Sequence, residues 1–122
     1  QRTLPKLRVW NRTRNVLVAE RALAAGTSRE RRTGLLAHSG LDESGGLWIA
    51  PCEAVHTIGM KFPIDVLFLD KKRKVLKIRK DMKQWRMSAC LRAHSVLELA
   101  SGRADATGTR VGDQLELEKY DA

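Results

Sequence analysis

The hydrophobic positions of the chain fall into short runs of strand length. Residues 66–69, Val-Leu-Phe-Leu, are apolar at every position, which predicts a central strand that is covered on both faces. Pro63 has no backbone N–H to donate, so we expect this strand to begin at Pro63 rather than to run through it. A second run follows the polar turn at residues 70–73 and alternates in character, with Leu76 and Ile78 on its buried face. Together the two runs predict a hairpin whose outer face is cationic.

Shorter patterns predict the rest of the fold. Strands are expected at residues 7–10, 16–18, 47–49, 95–99 and 114–118, and in the last of them Leu115 and Leu117 should point inward. Thr27 and Glu30 form a capping-box pattern, which predicts a short helix after Thr27. Residues 37–46 and 100–112 are rich in turn-forming residues and are expected to be loops. We therefore expect one mainly β (α+β) domain over residues 1–122, with a small barrel-like antiparallel or mixed sheet and one or two short helices.

Composition is consistent with one domain and limits the class of protein. The chain has 122 residues, of which 43% are hydrophobic, enough to form one core without support from disulfides or metals. No apolar stretch approaches the roughly 20 residues that a membrane-spanning helix requires, so we expect no membrane insertion. A cytoplasmic location is favoured, and export would follow if a leader peptide had preceded Gln1. The sequence indicates no particular cofactor and leaves the oligomeric state open.

The segment at residues 56–70 combines turn residues, a histidine and two carboxylates with the strongly apolar strand. A loop-built pocket for a small polar ligand or a carbohydrate needs polar side chains that fix the ligand, a flexible apolar wall and a stacking aromatic ring. The candidate ligand-binding residues that meet these needs are His56, Thr57, Met60, Lys61, Asp65, Trp85 and Arg86. Alternatively, Met60 and Trp85 would cap the core, and Asp65 would accept backbone N–H bonds in a turn. The sequence favours a non-catalytic binding module whose ligand is open.

Charge suggests an alternative function. Lys and Arg together exceed Asp and Glu by 9, and much of this excess lies within residues 71–92. A cationic hairpin could lie along a phosphate backbone, with Trp85 available for base stacking. The candidate nucleic-acid-binding residues are Lys71, Lys72, Arg73, Lys77 and Arg79. A solvated cationic face explains the same residues without a nucleic acid.

Cysteine and histidine form a third candidate site. Cys52 precedes His56 with the same spacing by which Cys90 precedes His94, and both residue types bind metal ions of borderline softness. Cys52, His56 and Asp65 also form, on paper, the set of a Cys/His hydrolytic enzyme. The tight Cys-x-x-Cys spacing of structural zinc sites is missing, however, and an acidic residue directly follows Cys52, which disfavours a reactive thiolate. Buried thiols, or one disulfide between Cys52 and Cys90, are the simpler interpretation, and we assign no catalytic residue.

Several segments follow one another in the order found in a widespread prokaryotic family of small domains. These segments are residues 56–70, the Trp85-Arg86 pair, residues 95–99 and residues 111–115. Over about residues 27–117 the chain resembles the family known as domain of unknown function one hundred and ninety-two. The resemblance implies a compact, strand-rich, barrel-like domain with a short helix or two. It implies no established activity.

Overall fold

The fold is given by a computed structural model that describes residues 5–26 and 41–120. Within these residues it contains nine β-strands and one short α-helix. The strands are β1 (Lys6–Asn11), β2 (Val16–Ala25), β3 (Gly45–Ile49), β4 (Ala54–His56), β5 (Ile64–Leu69), β6 (Val75–Met82), β7 (Met87–Ala89), β8 (Ser95–Ala100) and β9 (Leu115–Tyr120). The helix, α1, spans Arg103–Thr107. The helix predicted after Thr27 lies outside the described residues.

Seven of the strands form one mixed sheet in the order β6-β5-β8-β3-β2-β1-β9, and β4 pairs with β7 in a separate two-stranded unit, the β4–β7 ribbon. The β2–β3 pair is parallel, whereas its neighbours in the sheet pair antiparallel. The edge strands β6 and β9 approach each other at a bridge between Lys74 and Gln114. The small, mainly β domain with a mixed sheet is confirmed. Within the described residues the sheet is not a closed barrel, because one bridge does not join its two edges along their length.

The apolar run at residues 66–69 lies in β5, between β6 and β8, and β5 is buried at every position. Its side chains alternate between two core clusters on opposite faces of the sheet. Leu67 and Leu69 pack in the first cluster, with residues of β1 and β8. Val66 and Phe68 pack in the second cluster. The prediction of an internal strand that is covered on both faces and begins after Pro63 is confirmed.

The neighbouring strand departs from the predicted alternation. Leu67 opposes Ile78, but Leu69 opposes Val75, which leaves Leu76 in a bulge. Val75 and Ile78 consequently pack in or against the first core cluster, and Leu76 lies outside it. The prediction that Leu76 shares the buried face with Ile78 is wrong, because the extra residue shifts the alternation at the bulge.

Helix α1 lies in a segment that the sequence predicts to be a loop. Gly102 precedes the helix with a φ of 92° and provides no side-chain cap. Asp65 of β5 takes over that function: its Oδ2 accepts a 2.8 Å hydrogen bond from the Ala104 N–H. Its Oδ1 accepts a second 2.8 Å bond, from the N–H of Asp81 in β6. The buried Asp65 carboxylate therefore joins β5, β6 and α1.

A buried polar cluster fixes the β1–β2 turn to the segment between α1 and β9. The Nδ2 atom of Asn11 donates to Oδ2 of Asp113 at 2.9 Å and to Oγ1 of Thr109 at 3.1 Å. The Nε atom of Arg14 donates to the same Asp113 oxygen at 2.7 Å. Burial by itself raises the pKa of Asp113, but hydrogen bonds from Asn11, from the Arg110 backbone and from Arg14 outweigh it and hold this pKa below its usual value.

Candidate functional site

The β4–β7 ribbon packs on the second core cluster and presents its other face to solvent. Its register places Val55 opposite Ser88 and His56 opposite Met87. Val55 and Ser88 are buried, whereas His56 and Met87 are exposed. Because side chains alternate along both strands, every second residue of the ribbon faces away from the core.

Hydrogen bonds from Thr57 tie the loop after β4 to the turn after β6. Its Oγ1 atom is buried, accepts a 2.8 Å bond from the Arg86 N–H and donates a 2.6 Å bond to the Lys83 carbonyl. The Thr57 N–H donates to the Arg86 carbonyl at 2.9 Å. Nε2 of Gln84 adds a 2.6 Å bond to the Met60 carbonyl. These bonds, which we call the Thr57 frame, hold residues 57–63 and residues 83–86 together as one unit.

The two segments enclose an open groove of about 410 Å³, which we call the Trp85 groove. It is lined by Lys61, Phe62, Pro63, Lys83, Gln84 and Trp85. The Trp85 side chain is 68% exposed, and its backbone has a φ of 62°, in the left-handed region that residues other than glycine seldom adopt. The Thr57 frame holds the backbone of Trp85, whose side chain is not buried.

Lys61 supplies the available cation of the groove. Lys83 already pairs with Asp81, whose Oδ2 lies 2.6 Å from the Lys83 Nζ. This ammonium group and the Ser101 hydroxyl lower the pKa of Asp81 below its usual value. For Lys61, by contrast, no carboxylate of the described residues lies within ion-pairing distance. Lys61 is therefore the lining lysine whose charge is not balanced by a carboxylate of the described residues.

The structure separates the predicted ligand-binding residues into groups. Lys61 and Trp85 line the Trp85 groove. Thr57 lies in the frame beneath it, and Met60 is buried in the second core cluster. Arg86 is exposed beside the groove, and its guanidinium donates to the Gln84 carbonyl at 3.2 Å.

The other two predicted residues lie elsewhere. His56 is exposed on the ribbon and does not line the Trp85 groove. Asp65 is 1% exposed and its two oxygens accept the backbone bonds of α1 and β6, so it contributes to the fold rather than to the groove. Sequence reasoning missed the lining residues Phe62, Pro63, Lys83 and Gln84. Only their closeness to Lys61 or Trp85 along the chain could have indicated them.

A second open groove, of about 640 Å³, includes Cys52, Glu53, Lys71, Arg92 and His94 in its lining. Cys52 and Cys90 are thiols that are not joined in a disulfide, and Sγ of Cys52 donates to the Ala54 carbonyl at 3.1 Å. Within residues 5–26 and 41–120, no three His, Cys, Asp or Glu side chains are grouped so that they could hold a metal ion. The four candidates Cys52, His56, Cys90 and His94 therefore do not form a metal centre among themselves.

The candidate nucleic-acid-binding residues differ in how far they are already engaged. Lys71 and Lys72 are exposed in the turn between β5 and β6. The Arg73 guanidinium lies over the Trp48 ring, 4.8 Å from its centroid, and donates to the Lys71 carbonyl at 2.8 Å. Lys77 donates to the Ala89 carbonyl at 2.8 Å. Arg79 is half-buried in β6. Lys71 and Lys72 are therefore the most accessible of the five, because the other three side chains are half-buried.

Two solved structures share the fold. One is a "putative transcription regulator" from Sinorhizobium meliloti 1021, which is 18% identical, has a TM-score of 0.79 and is matched over 94% of each chain. The other is a protein of unknown function from Novosphingobium aromaticivorans DSM 12444, which is 23% identical with a TM-score of 0.74, over 91% of this chain and 83% of that one. At these identities the likeness shows the fold alone. No curated protein matches the chain.

Two further findings concern the class of protein. Among the described residues, no helix has both the length and the apolar character needed to cross a bilayer. The model of one protein family matches residues 9–117 of the chain. The match begins well before residue 27, where the resemblance was expected to start. The chain belongs to the family DUF192, which is described as Uncharacterized ACR.

Proposed function

We propose that the protein is a non-catalytic binding module that holds a small anionic carbohydrate, or a ligand with a similar ring and acid group, in the Trp85 groove. The observation that carries the proposal is the exposed Trp85 side chain, which lines the same groove as Lys61 on a backbone that the Thr57 frame holds. An indole presents a broad apolar face, on which the C–H face of a sugar ring can stack.

Folding alone does not favour the conformation of Trp85. Because 68% of the side chain is exposed, it gains little from burial. Its φ of 62° costs on the order of 1 kcal/mol relative to glycine. A residue that costs stability and leaves a large apolar ring in water is better explained by a partner for that ring than by packing.

The charge of the groove narrows the class of ligand. Lys61 offers an ammonium group with no intramolecular carboxylate from the described residues, so a carboxylate or phosphate on the ligand would find a partner there. The groove is open, which leaves part of the ligand in water and predicts weak binding. A uronic acid or a sugar phosphate fits this combination of a ring and an acid group.

The test is a thermal-shift titration with glucose, glucuronic acid and glucose phosphate. We expect saturable stabilisation that is larger for the two acids than for glucose, because ligand binding to the folded state raises the unfolding temperature. Trp85→Ala should abolish the shift, and Trp85→Phe should retain part of it. Lys61→Gln should remove the preference for the acids. Val111→Gln, at another exposed apolar position, is the matched control and should leave the shift unchanged.

Two results would contradict the proposal. One is that no ligand of the panel stabilises the protein saturably. The other is that the stabilisation is the same in Trp85→Ala as in the parent protein. A fall in the unfolding temperature of the ligand-free variants would not count for or against binding, because the shift is measured against each variant's own baseline.

Nucleic-acid binding is the second candidate function, and the exposed Lys71 and Lys72 favour it. The description of the Sinorhizobium protein as a "putative transcription regulator" is in line with this candidate, although the 18% identity carries no more than the fold. If the protein binds nucleic acid through these lysines, its affinity for an oligonucleotide should fall steeply as the salt concentration rises. The double variant Lys71→Gln, Lys72→Gln should show a smaller slope of affinity against salt concentration. No measurable affinity at low salt would exclude it.

A further inference from the structure

Large apolar side chains are exposed in the β4–β7 ribbon and within two residues of its strand ends. Ile58 is 45% exposed, Trp85 68%, Met87 72% and Leu91 82%. Among the described residues, one other large apolar side chain is similarly exposed. It is Val111, which is 61% exposed and lies far from the ribbon in sequence. These four residues concentrate exposed apolar surface at one small element, whereas such residues are normally scattered singly over a protein surface.

The register of the ribbon places Met87 on its outer face. Ala54 opposes Ala89 and His56 opposes Met87, and all four are exposed on the side that faces away from the core. Trp85 and Ile58 adjoin one end of the ribbon, and Leu91 adjoins the other end. We call this surface the ribbon face: Ala54, His56, Ile58, Trp85, Met87, Ala89 and Leu91.

Cationic side chains lie at both ends of the ribbon face. Lys61 and Lys83 line the groove that contains Trp85, at one end. Lys71 and Arg92 line the second groove together with Ala54, at the other end. Lys77 also reaches this second end, where its Nζ donates to the carbonyl of Ala89, the residue opposite Ala54.

Acidic residues balance only part of this charge. Asp81 pairs with Lys83, and Glu53 lines the second groove. The apolar face therefore has a cationic border, in a chain whose formal net charge is +9.

We propose that the ribbon face docks the protein on an anionic lipid surface, as a peripheral contact that does not span the bilayer. Trp, Met, Leu and Ile side chains enter the boundary between headgroups and acyl chains, and Lys and Arg beside them attract acidic headgroups. A second copy of this chain fits less well, because a symmetric contact would bring the two cationic borders together. The proposal goes beyond ligand binding in the Trp85 groove, with which it shares Trp85 and, in its cationic border, Lys61 and Lys83.

The test is co-sedimentation with vesicles of phosphatidylcholine, with and without phosphatidylglycerol. The parent protein should bind the phosphatidylglycerol vesicles, and binding should weaken as salt is added. The double variant Met87→Gln, Leu91→Gln should bind at least about tenfold more weakly, because both apolar side chains are removed from the contact. Lys71→Gln and Arg92→Gln should each weaken binding roughly fivefold. Val111→Gln is the matched control, since this exposed apolar residue lies outside the ribbon face.

Three results would overturn the proposal. The first is that the parent protein does not bind phosphatidylglycerol vesicles at low salt, and the second is that the Met87→Gln, Leu91→Gln variant binds them as tightly as the parent protein does. The third is that the parent protein self-associates without binding vesicles and that this variant abolishes the self-association. The third result would assign the face to a second copy of the chain. Both substituted side chains are more than two-thirds exposed, so the unfolding temperature should change little and serves as the folding check. The same variant retains every lining residue of the Trp85 groove, so a failure of lipid binding is distinguishable from a failure of sugar binding.

Discussion

Replacing Asp65 by alanine should destabilise the protein by about 2–5 kcal/mol. The carboxylate is 1% exposed, and each of its oxygens accepts a 2.8 Å bond, from the N–H groups of Ala104 and Asp81. The buried Ala104 donor loses its acceptor at a cost of about 1–3 kcal/mol, and the partly buried Asp81 donor adds about 1–2 kcal/mol. The change should also fray α1, because Gly102 offers no side-chain cap in place of the carboxylate.

Asp70 provides the matched control for this substitution. It directly follows the other end of β5, and its Oδ1 accepts two backbone bonds, of 2.9 Å each, from the N–H groups of Lys72 and Lys74. Those bonds are exposed, so water can replace the carboxylate and Asp70→Ala should cost only about 1 kcal/mol.

Urea unfolding followed by circular dichroism would give both free energies of unfolding, and amide hydrogen exchange would report the Ala104 and Asp81 N–H groups directly. Asp65→Ala should accelerate exchange at both amides, whereas Asp70→Ala should leave them protected. A loss below about 1 kcal/mol in Asp65→Ala, or equal losses in the two variants, would refute the assignment of Asp65 as the link between β5, β6 and α1.

Three other predictions concern single positions. The pKa of Asp113 is lower in the folded state than its usual 3.8, so the ionised carboxylate stabilises the fold above that pH. The free energy of unfolding of the parent protein, measured in urea, should exceed that of Asp113→Asn by less and less as the pH falls below 3.8. A difference between the two proteins that does not change with pH would contradict this prediction. Trp85→Gly should be about 0.5–1 kcal/mol more stable than Trp85→Ala, because glycine relieves the positive φ, and a less stable glycine variant in the same assay would argue against backbone strain. Gly46→Ala should cost about 1–3 kcal/mol in thermal unfolding, since its Cβ would lie 3.1 Å from the Glu98 carbonyl oxygen; an unchanged unfolding temperature would show that β3 and β8 can separate there.

Local patterns predicted the strands because burial on a sheet leaves a signature along the chain. Residues 66–69 are apolar on both faces, and the internal strand that they predict is β5. In β9 the alternation correctly places Leu115 in the core, and Leu117 packs against the same cluster. Leu76 shows the limit of this reasoning, since a bulge changes the alternation without any local sign.

The site was less predictable because it depends on pairing between distant segments. Thr57 bonds the backbone of Arg86, 29 residues later, and Asp65 bonds that of Ala104, 39 residues later. Nothing in the spacing of polar residues distinguishes Asp65, which serves a helix, from Lys61, which lines a groove. Trp85 was identified as a stacking residue from its type alone, because neither its exposure nor its positive φ has a local sign in the sequence.

The most direct test of the proposed function is a two-dimensional proton–nitrogen NMR titration of the indole N–H signals with glucuronic acid. The chain has three tryptophans, and Trp10 and Trp48 lie in β1 and β3, outside the Trp85 groove. Binding in the groove predicts that the Trp85 indole signal shifts saturably while those of Trp10 and Trp48 stay in place. An unmoved Trp85 signal, or shifts of all three indoles that grow linearly with concentration, would contradict the account.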